Sequence, residues 1–179
     1  RDRLDRVRSR DLTVDYREDK PDEGDRPLRY GEVGFYDYDN NVLVVAAGGN
    51  NGSHNYLGER DDVLSLGSTD EKDKVTLFSN RQAYVDLCAP GQSIATTILH
   101  ATGTDSIGYR QATYSAGEAG TSFSAPMGAA AVALLEQYRR EHGLAKLTPY
   151  LTQLRITETA DDISALNPGT GYGTGRLNL

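Results

Sequence analysis

The feature that most constrains this chain is a glycine-flanked serine at the start of a long run of small residues. Residues 120–126 read GTSFSAP and residues 127–133 read MGAAAVA. An alanine-rich helix that is apolar on nearly every side is typical of a protein interior, packed closely on a sheet. A serine at the N-terminus of such a helix lies near free amides and the positive end of the helix dipole, which suit an oxygen nucleophile and its oxyanion. Ser122 is therefore a candidate nucleophile, although a serine that only caps a buried helix fits the same short pattern.

Proline at position 126 predicts an unusual first turn for this helix. Pro126 lies four residues after Ser122 and has no N–H to donate to the Ser122 carbonyl. We expect that turn to be irregular or to be held by tertiary contacts. The helix should run from about Ser122 to Arg139 or Arg140, with Thr121 as a candidate cap and Gly143 as a candidate stop.

A second informative stretch lies far upstream of the serine. Residues 42–47 read VLVVAA and are followed at once by GGNNG at 48–52. A continuous apolar run rich in β-branched residues predicts a strand covered on both faces, as in a parallel sheet. Sites in open parallel sheets gather where strands end, so this break is a candidate site, while an ordinary Gly/Asn turn fits it as well.

Taken together, the two stretches resemble the subtilisin-like serine proteases. GTSFSAP resembles the family's nucleophile motif Gly-Thr-Ser-x-[Ala/Ser]-x-Pro, and AAGGNNG at 46–52 matches the family's strand that carries the oxyanion-binding asparagine, with Asn50 in the donor place. The resemblance implies an α/β fold, a mostly parallel sheet with helices on both faces, from which the N-terminal part of the domain is missing. It implies that Ser122 attacks the peptide carbonyl and that Asn50 and the Ser122 amide hold the oxyanion. It also implies that Ala47, Gly48 and Gly49 form one wall of the pocket for the residue before the scissile bond, with room for a bulky apolar group.

The resemblance covers residues 42–179, and we interpret residues 1–41 as a charged, partly irregular N-terminal excursion. Strands are expected within 62–68 and 83–91, and a loop or hairpin within 99–119. Thr148-Pro149 predicts the start of a second helix, with Leu151, Leu154 and Thr157 facing inward. GTGRLN at 173–178 resembles the turn that closes subtilase domains.

The catalytic aspartate and histidine of the family are absent from this sequence. Its three histidines, His54, His100 and His142, lack the family's sequence context, and we expect each at the surface. A serine without a positioned base is a poor nucleophile, so this chain alone is expected to be inactive. The resemblance implies that a missing N-terminal part supplies the aspartate and histidine, and that the whole is a secreted or otherwise exported endopeptidase acting on proteins or peptides. No signal segment is visible.

Composition excludes several other classes. The net charge of −7 argues against a nucleic-acid surface. The sequence contains no apolar stretch of about 18 residues, the length that would predict a membrane helix. The single cysteine, Cys88, offers neither a disulfide framework nor a metal site and is expected to be buried and inert. No cofactor is identifiable, although structural calcium is implied by the resemblance.

Two alternatives belong to other functional classes. A non-catalytic subtilase-like domain would keep the sheet and pocket for binding or structure. A nucleotide-binding α/β domain rests only on the glycines at 169–175, and its context fails because no strand is predicted before them and no helix after them.

Overall fold

The computed structural model describes residues 41–102, 106–111 and 117–178, so the predicted N-terminal excursion lies almost wholly outside the described residues. The described residues contain eight elements in chain order: strands β1 (Val44–Ala47), β2 (Val63–Thr69), β3 (Leu87–Pro90), β4 (Thr97–Thr102) and β5 (Ser106–Gln111), helices α1 (Thr121–Glu141) and α2 (Pro149–Glu158), and a 3₁₀ turn, Ser164–Leu166. Among these described elements, neither helix is both long and apolar enough to cross a membrane.

Strands β1, β2 and β3 form a parallel sheet with β2 in the middle. Val44 pairs with Val63 and Leu66 with Leu87, so the strands end along one edge. Every residue of β2 is buried, as is typical of a central parallel strand. The predicted α/β class is confirmed. Strands β4 and β5 pair antiparallel, so the region predicted as a loop or hairpin contains a hairpin.

The main core lies where both helices pack on one face of this sheet. Leu64, Leu66 and Leu87 are fully buried there with Ala131 of α1 and Ile156 of α2. A smaller cluster joins Cys88 to the side chains of Val75, Ile163 and Tyr172. Within the described residues both helices thus lie on one face of the sheet, so the expected helices on the other face are not seen there.

Helix α1 is less buried than its composition predicts. Gly128 is buried, and a Cβ there would lie 2.8 Å from both methyl carbons of Leu66, so the missing side chain lets the helix approach the sheet. Ala129, Ala130 and Ala133, which we call the exposed alanine face, are solvent-exposed instead. In this chain by itself, the surface does not meet the expectation of burial on nearly every side, because only the Gly128 side meets the sheet. Gly143, with φ of 66°, follows the end of the helix as predicted.

Helix α2 begins as the Thr148-Pro149 pair predicts. The Thr148 side chain accepts a hydrogen bond from the Leu151 amide over 3.3 Å, and Pro149 occupies the first helical position. The expected inward face is only partly right.

Thr157 is buried and Leu154 is half-buried, but Leu151 is 43% exposed, and Gln153, which was not expected to face inward, is buried. The Gln153 amide reaches the Val63 carbonyl over 3.5 Å. A polar residue thus occupies the core because it has a main-chain partner there, which its own sequence position does not reveal.

Candidate active site

Asn50 and Ser122 meet where β1 ends and α1 begins. Asn50 lies three residues beyond Ala47, the last residue of β1, and Ser122 is the second residue of α1. Both side chains are exposed. The structure therefore brings the two residues singled out in the sequence to one surface, although 72 positions separate them along the chain.

Gly120 lies next to both Asn50 and Ser122. Its φ of 153° favours glycine, and a Cβ placed on it would lie 3.4 Å from Asn50 Nδ2 and 3.7 Å from the Ser122 amide nitrogen. The two nitrogens therefore flank one small space beside the glycine, which any side chain at position 120 would fill. A tetrahedral oxyanion needs two such converging donors.

The orientation of the Asn50 side chain follows from Thr121, whose role in the site the sequence reasoning missed. The Thr121 amide and hydroxyl both lie 2.9 Å from Asn50 Oδ1, and the hydroxyl also accepts from the Gly49 amide over 3.1 Å. A backbone amide can only donate, so the oxygen of Asn50 must face Thr121. Its NH₂ group is therefore directed the other way.

Thr121 is not the helix cap that its position suggested. It is fully buried and is the first residue of α1, while Gly120 takes the capping position without a side-chain bond. The one sequence feature that pointed to a role for Thr121 in the site was its position directly before the candidate nucleophile, Ser122. Its hydroxyl holds Asn50 instead of a helical amide.

Tertiary contacts hold the first turn of α1, as Pro126 predicts. The Ser124 hydroxyl donates to the Ala89 carbonyl over 3.0 Å, at the end of β3. The Gly120 amide donates to the Gly91 carbonyl over 2.8 Å. The end of β3 thus fixes the turn that presents Ser122.

A cavity of about 480 Å³ opens beside Asn50, and its lining includes Gly49 and the segment 55–57. Of the three predicted wall residues, Gly49 lines this cavity, whereas Ala47 and Gly48 are not part of its lining. A Cβ on Gly48 would lie 2.9 Å from the Leu66 carbonyl oxygen, and one on Gly49 would collide with the Asn80 side chain. Packing within the protein therefore favours glycine at both positions, whether or not a substrate binds there.

Neither His54 nor His142 is hydrogen-bonded to Ser122. His54 is largely exposed and its Nδ1 lies 2.5 Å from Glu59 Oε1. His142, at the far end of α1, bonds the Tyr138 carbonyl over 2.8 Å. The prediction for His100 concerns a side chain outside those that the structure describes. A base for Ser122 is therefore not supplied by His54 or His142 in this arrangement.

Two further predictions concern Cys88 and metal ions. Cys88 is fully buried, and burial raises the pKa of its thiol from 9.0 to about 12, which agrees with an inert residue. In the described part of the chain, no group of three or more His, Cys, Asp or Glu side chains is arranged to hold a metal ion. These residues therefore offer no carboxylate cage for the calcium that the resemblance implies.

Comparison with known proteins gives the family. The sequence model of the Subtilase family matches residues 15–175. The chain is 34% identical over 147 residues to the thermophilic serine proteinase of Bacillus sp. (strain AK1), covering 80% of this chain and 31% of that protein. It is 32% identical over 142 residues to the major intracellular serine protease of Bacillus subtilis (strain 168), covering 74% of this chain and 41% of that protein.

The fold gives the same result. The solved structure of the prenylagaramide maturation protease PagA superposes with a TM-score of 0.61 at 26% identity, over 79% of this chain and 50% of that one. The chain spans less than half the length of the two curated relatives. Because one of them is an intracellular protease, export of this protein stays a prediction. The matched range, the two relatives and the shared fold place the chain in the subtilase family.

Proposed function

We propose that this chain is the nucleophile-bearing portion of a serine endopeptidase that hydrolyses peptide bonds through an acyl-enzyme on Ser122. The observation that carries the proposal is the convergence of Asn50 Nδ2 and the Ser122 amide on the space beside Gly120. Two preorganised donors there stabilise an oxyanion in the transition state more than the neutral carbonyl of the substrate.

In the proposed reaction, Ser122 Oγ loses its proton to a histidine and bonds to the peptide carbonyl carbon. The carbonyl oxygen becomes an oxyanion held by Asn50 and the Ser122 amide. The histidine then gives its proton to the leaving amine, the C–N bond breaks, and water hydrolyses the acyl-enzyme by the reverse proton transfers. An aspartate orients the histidine throughout.

We expect the histidine and aspartate to come from a part of the protease that this sequence does not contain. Two observations support this. His54 and His142 are hydrogen-bonded to other groups, and the chain spans less than half the length of the two curated relatives. The exposed alanine face of α1 begins a few residues after Ser122 and is where we expect that part to pack.

The experiment uses the full-length protease that contains this chain. We expect a fluorophosphonate to label it once and to abolish cleavage of a protein substrate, because the probe needs an activated serine. Ser122→Ala should remove both labelling and cleavage. Ser164→Ala, an exposed serine of the 3₁₀ turn, is the matched control and should keep both. Cleavage that persists in Ser122→Ala would overturn the proposal.

A non-catalytic subtilase-like domain is the second candidate, favoured by the lack of a histidine bonded to Ser122 among the described residues. It predicts a full-length protein that folds, is not labelled and does not cleave. The same labelling experiment therefore separates the two functions.

A further inference from the structure

Asn80 is a buried asparagine whose side chain binds the loop that carries Asn50. It is 2% exposed, and its Oδ1 accepts hydrogen bonds from the amides of Asn51 and Gly52 over 3.1 and 2.5 Å. Its Nδ2 donates to the Ser53 carbonyl over 3.0 Å. Three consecutive residues directly after Asn50 are thus held by one side chain.

Tyr84 completes this support from the same side. Its hydroxyl donates to the Gly48 carbonyl over 3.0 Å and accepts from Asn80 Nδ2 over 2.9 Å. The backbone amide of Asn80 also donates to the Gly49 carbonyl over 2.9 Å. The side chain of Asn80 accepts from the amides of Asn51 and Gly52 and donates to the Ser53 carbonyl and the Tyr84 hydroxyl. These four bonds use its full hydrogen-bonding capacity.

The loop between Gly48 and Ser53 is therefore held from two sides. Thr121 binds the side chain of Asn50 and the amide of Gly49 on the side of the nucleophile. Asn80 and Tyr84 bind main-chain groups both before and after Asn50 in the sequence. A side chain that must present one N–H to a small space needs its own main chain fixed, because a displacement of about 1 Å in a catalytic group costs as much as 10²-fold in rate.

We propose that Asn80 is a positioning residue of the oxyanion hole, which acts on catalysis through the main chain that carries Asn50. This inference rests on the proposed function. Asn80 also lines the 480 Å³ cavity beside Asn50, so the same bonds set the shape of one cavity wall. No hydrogen bond of the described residues joins Asn80 to Ser122, and no atom of Asn80 lies within 4 Å of a Cβ built on Gly120, so its effect is indirect.

The test is a double-mutant cycle between Asn80→Ala and Asn50→Ala in the full-length protease. In the presence of Asn50 we expect Asn80→Ala to lower kcat about 10- to 100-fold with a smaller change in KM. In the Asn50→Ala background the same change should lower kcat less than about twofold, because the donor that it positions is gone. Equal factors in both backgrounds would overturn the inference, as would an unchanged kcat in the single variant.

Asn167→Ala is the matched control for a merely structural loss. Asn167 is also 2% exposed, and its side chain accepts from the Val75 amide and donates to the carbonyls of Asp73 and Ile163. We expect this variant to lower the midpoint of thermal unfolding about as much as Asn80→Ala and to leave kcat within about twofold. A matching fall in kcat would show that the effect of Asn80→Ala is structural.

If Asn80→Ala does not fold, Tyr84→Phe tests the same inference by its effect on kcat. It removes one hydroxyl between the Gly48 carbonyl and Asn80 and keeps the buried ring. We expect a smaller fall in kcat, about 3- to 10-fold, which also vanishes in the Asn50→Ala background. If Asn50→Ala and Ser122→Ala themselves leave cleavage intact, the proposed function fails; if they abolish or strongly lower it while the cycles are additive, only the role of Asn80 fails.

Discussion

The amide and the hydroxyl of Thr121 both donate to Asn50 Oδ1, each over 2.9 Å. Thr121 is fully buried, so its amide and hydroxyl depend on Asn50, and not on water, for a hydrogen-bond acceptor. The residue directly before Ser122 therefore orients the side chain of Asn50, and the two proposed oxyanion donors, Asn50 Nδ2 and the Ser122 amide, depend on the same turn.

Thr121→Val in the full-length protease should lower kcat about 10- to 100-fold with little change in KM. The substitution keeps the shape but removes the hydroxyl, so the Gly49 amide loses its acceptor and Asn50 loses one donor, at a cost of about 1–3 kcal/mol. Steady-state kinetics on a peptide substrate measures it. Thr121→Ser keeps the hydroxyl and should lose less; equal losses in the two variants would contradict the role of this oxygen.

Asn50→Ala should lower kcat about 10²- to 10³-fold and change KM little, a magnitude that is carried over from subtilisin itself. The donor acts in the transition state and not on the bound substrate, so kcat and kcat/KM should fall together. Single-substrate kinetics tests this. Asn178→Ala, an exposed asparagine near the end of the chain, is the control. A rise in KM alone would assign Asn50 to substrate binding instead.

Gly91→Ala should destabilise the fold by about 3 kcal/mol through overpacking. A Cβ there would lie 2.5 Å from the hydroxyls of Ser124 and Ser68 and 2.8 Å from the Gly120 carbonyl. Urea unfolding measures the loss. Gly143→Ala is the matched control, since it meets nothing within 4 Å and pays only for its φ of 66°, about 1 kcal/mol. A smaller loss at position 91 than at position 143 would contradict the packing argument.

Stability should fall with rising pH above 9 because of Cys88. Burial raises the pKa of the thiol from 9.0 to about 12, so the folded state holds its proton more tightly than the unfolded chain. This contribution is fully present below pH 9 and is lost as pH rises towards 12, about 2 kcal/mol by about pH 10.5. Urea unfolding at pH 8 and about pH 10.5 tests it against Cys88→Ala, which should show the shallower pH dependence. Identical slopes would contradict the prediction.

Local patterns predicted those features whose cause is local. The apolar run that ends at Gly48 forms a parallel strand, Thr148 and Pro149 start a helix, and Gly143 follows the end of another. Strand and helix patterns follow from backbone geometry and side-chain periodicity, which neighbouring residues carry. The motifs around Asn50 and Ser122 likewise identified the family, and their positions in the fold are close together.

Only the tertiary structure decided which partner each polar side chain finds. Thr121 holds Asn50 instead of capping a helix, Gln153 replaces Leu151 in the core, and Asn80 binds a loop 27 to 29 positions away. Periodicity predicts which face of an element is buried on average, but a buried polar group goes where a matching donor or acceptor exists. The sequence by itself determined the family, the strand and helix types and the two candidate residues of the proposed oxyanion site. The bonds that orient those residues were decided by how β1, β3 and α1 meet, because such bonds join positions far apart in the chain.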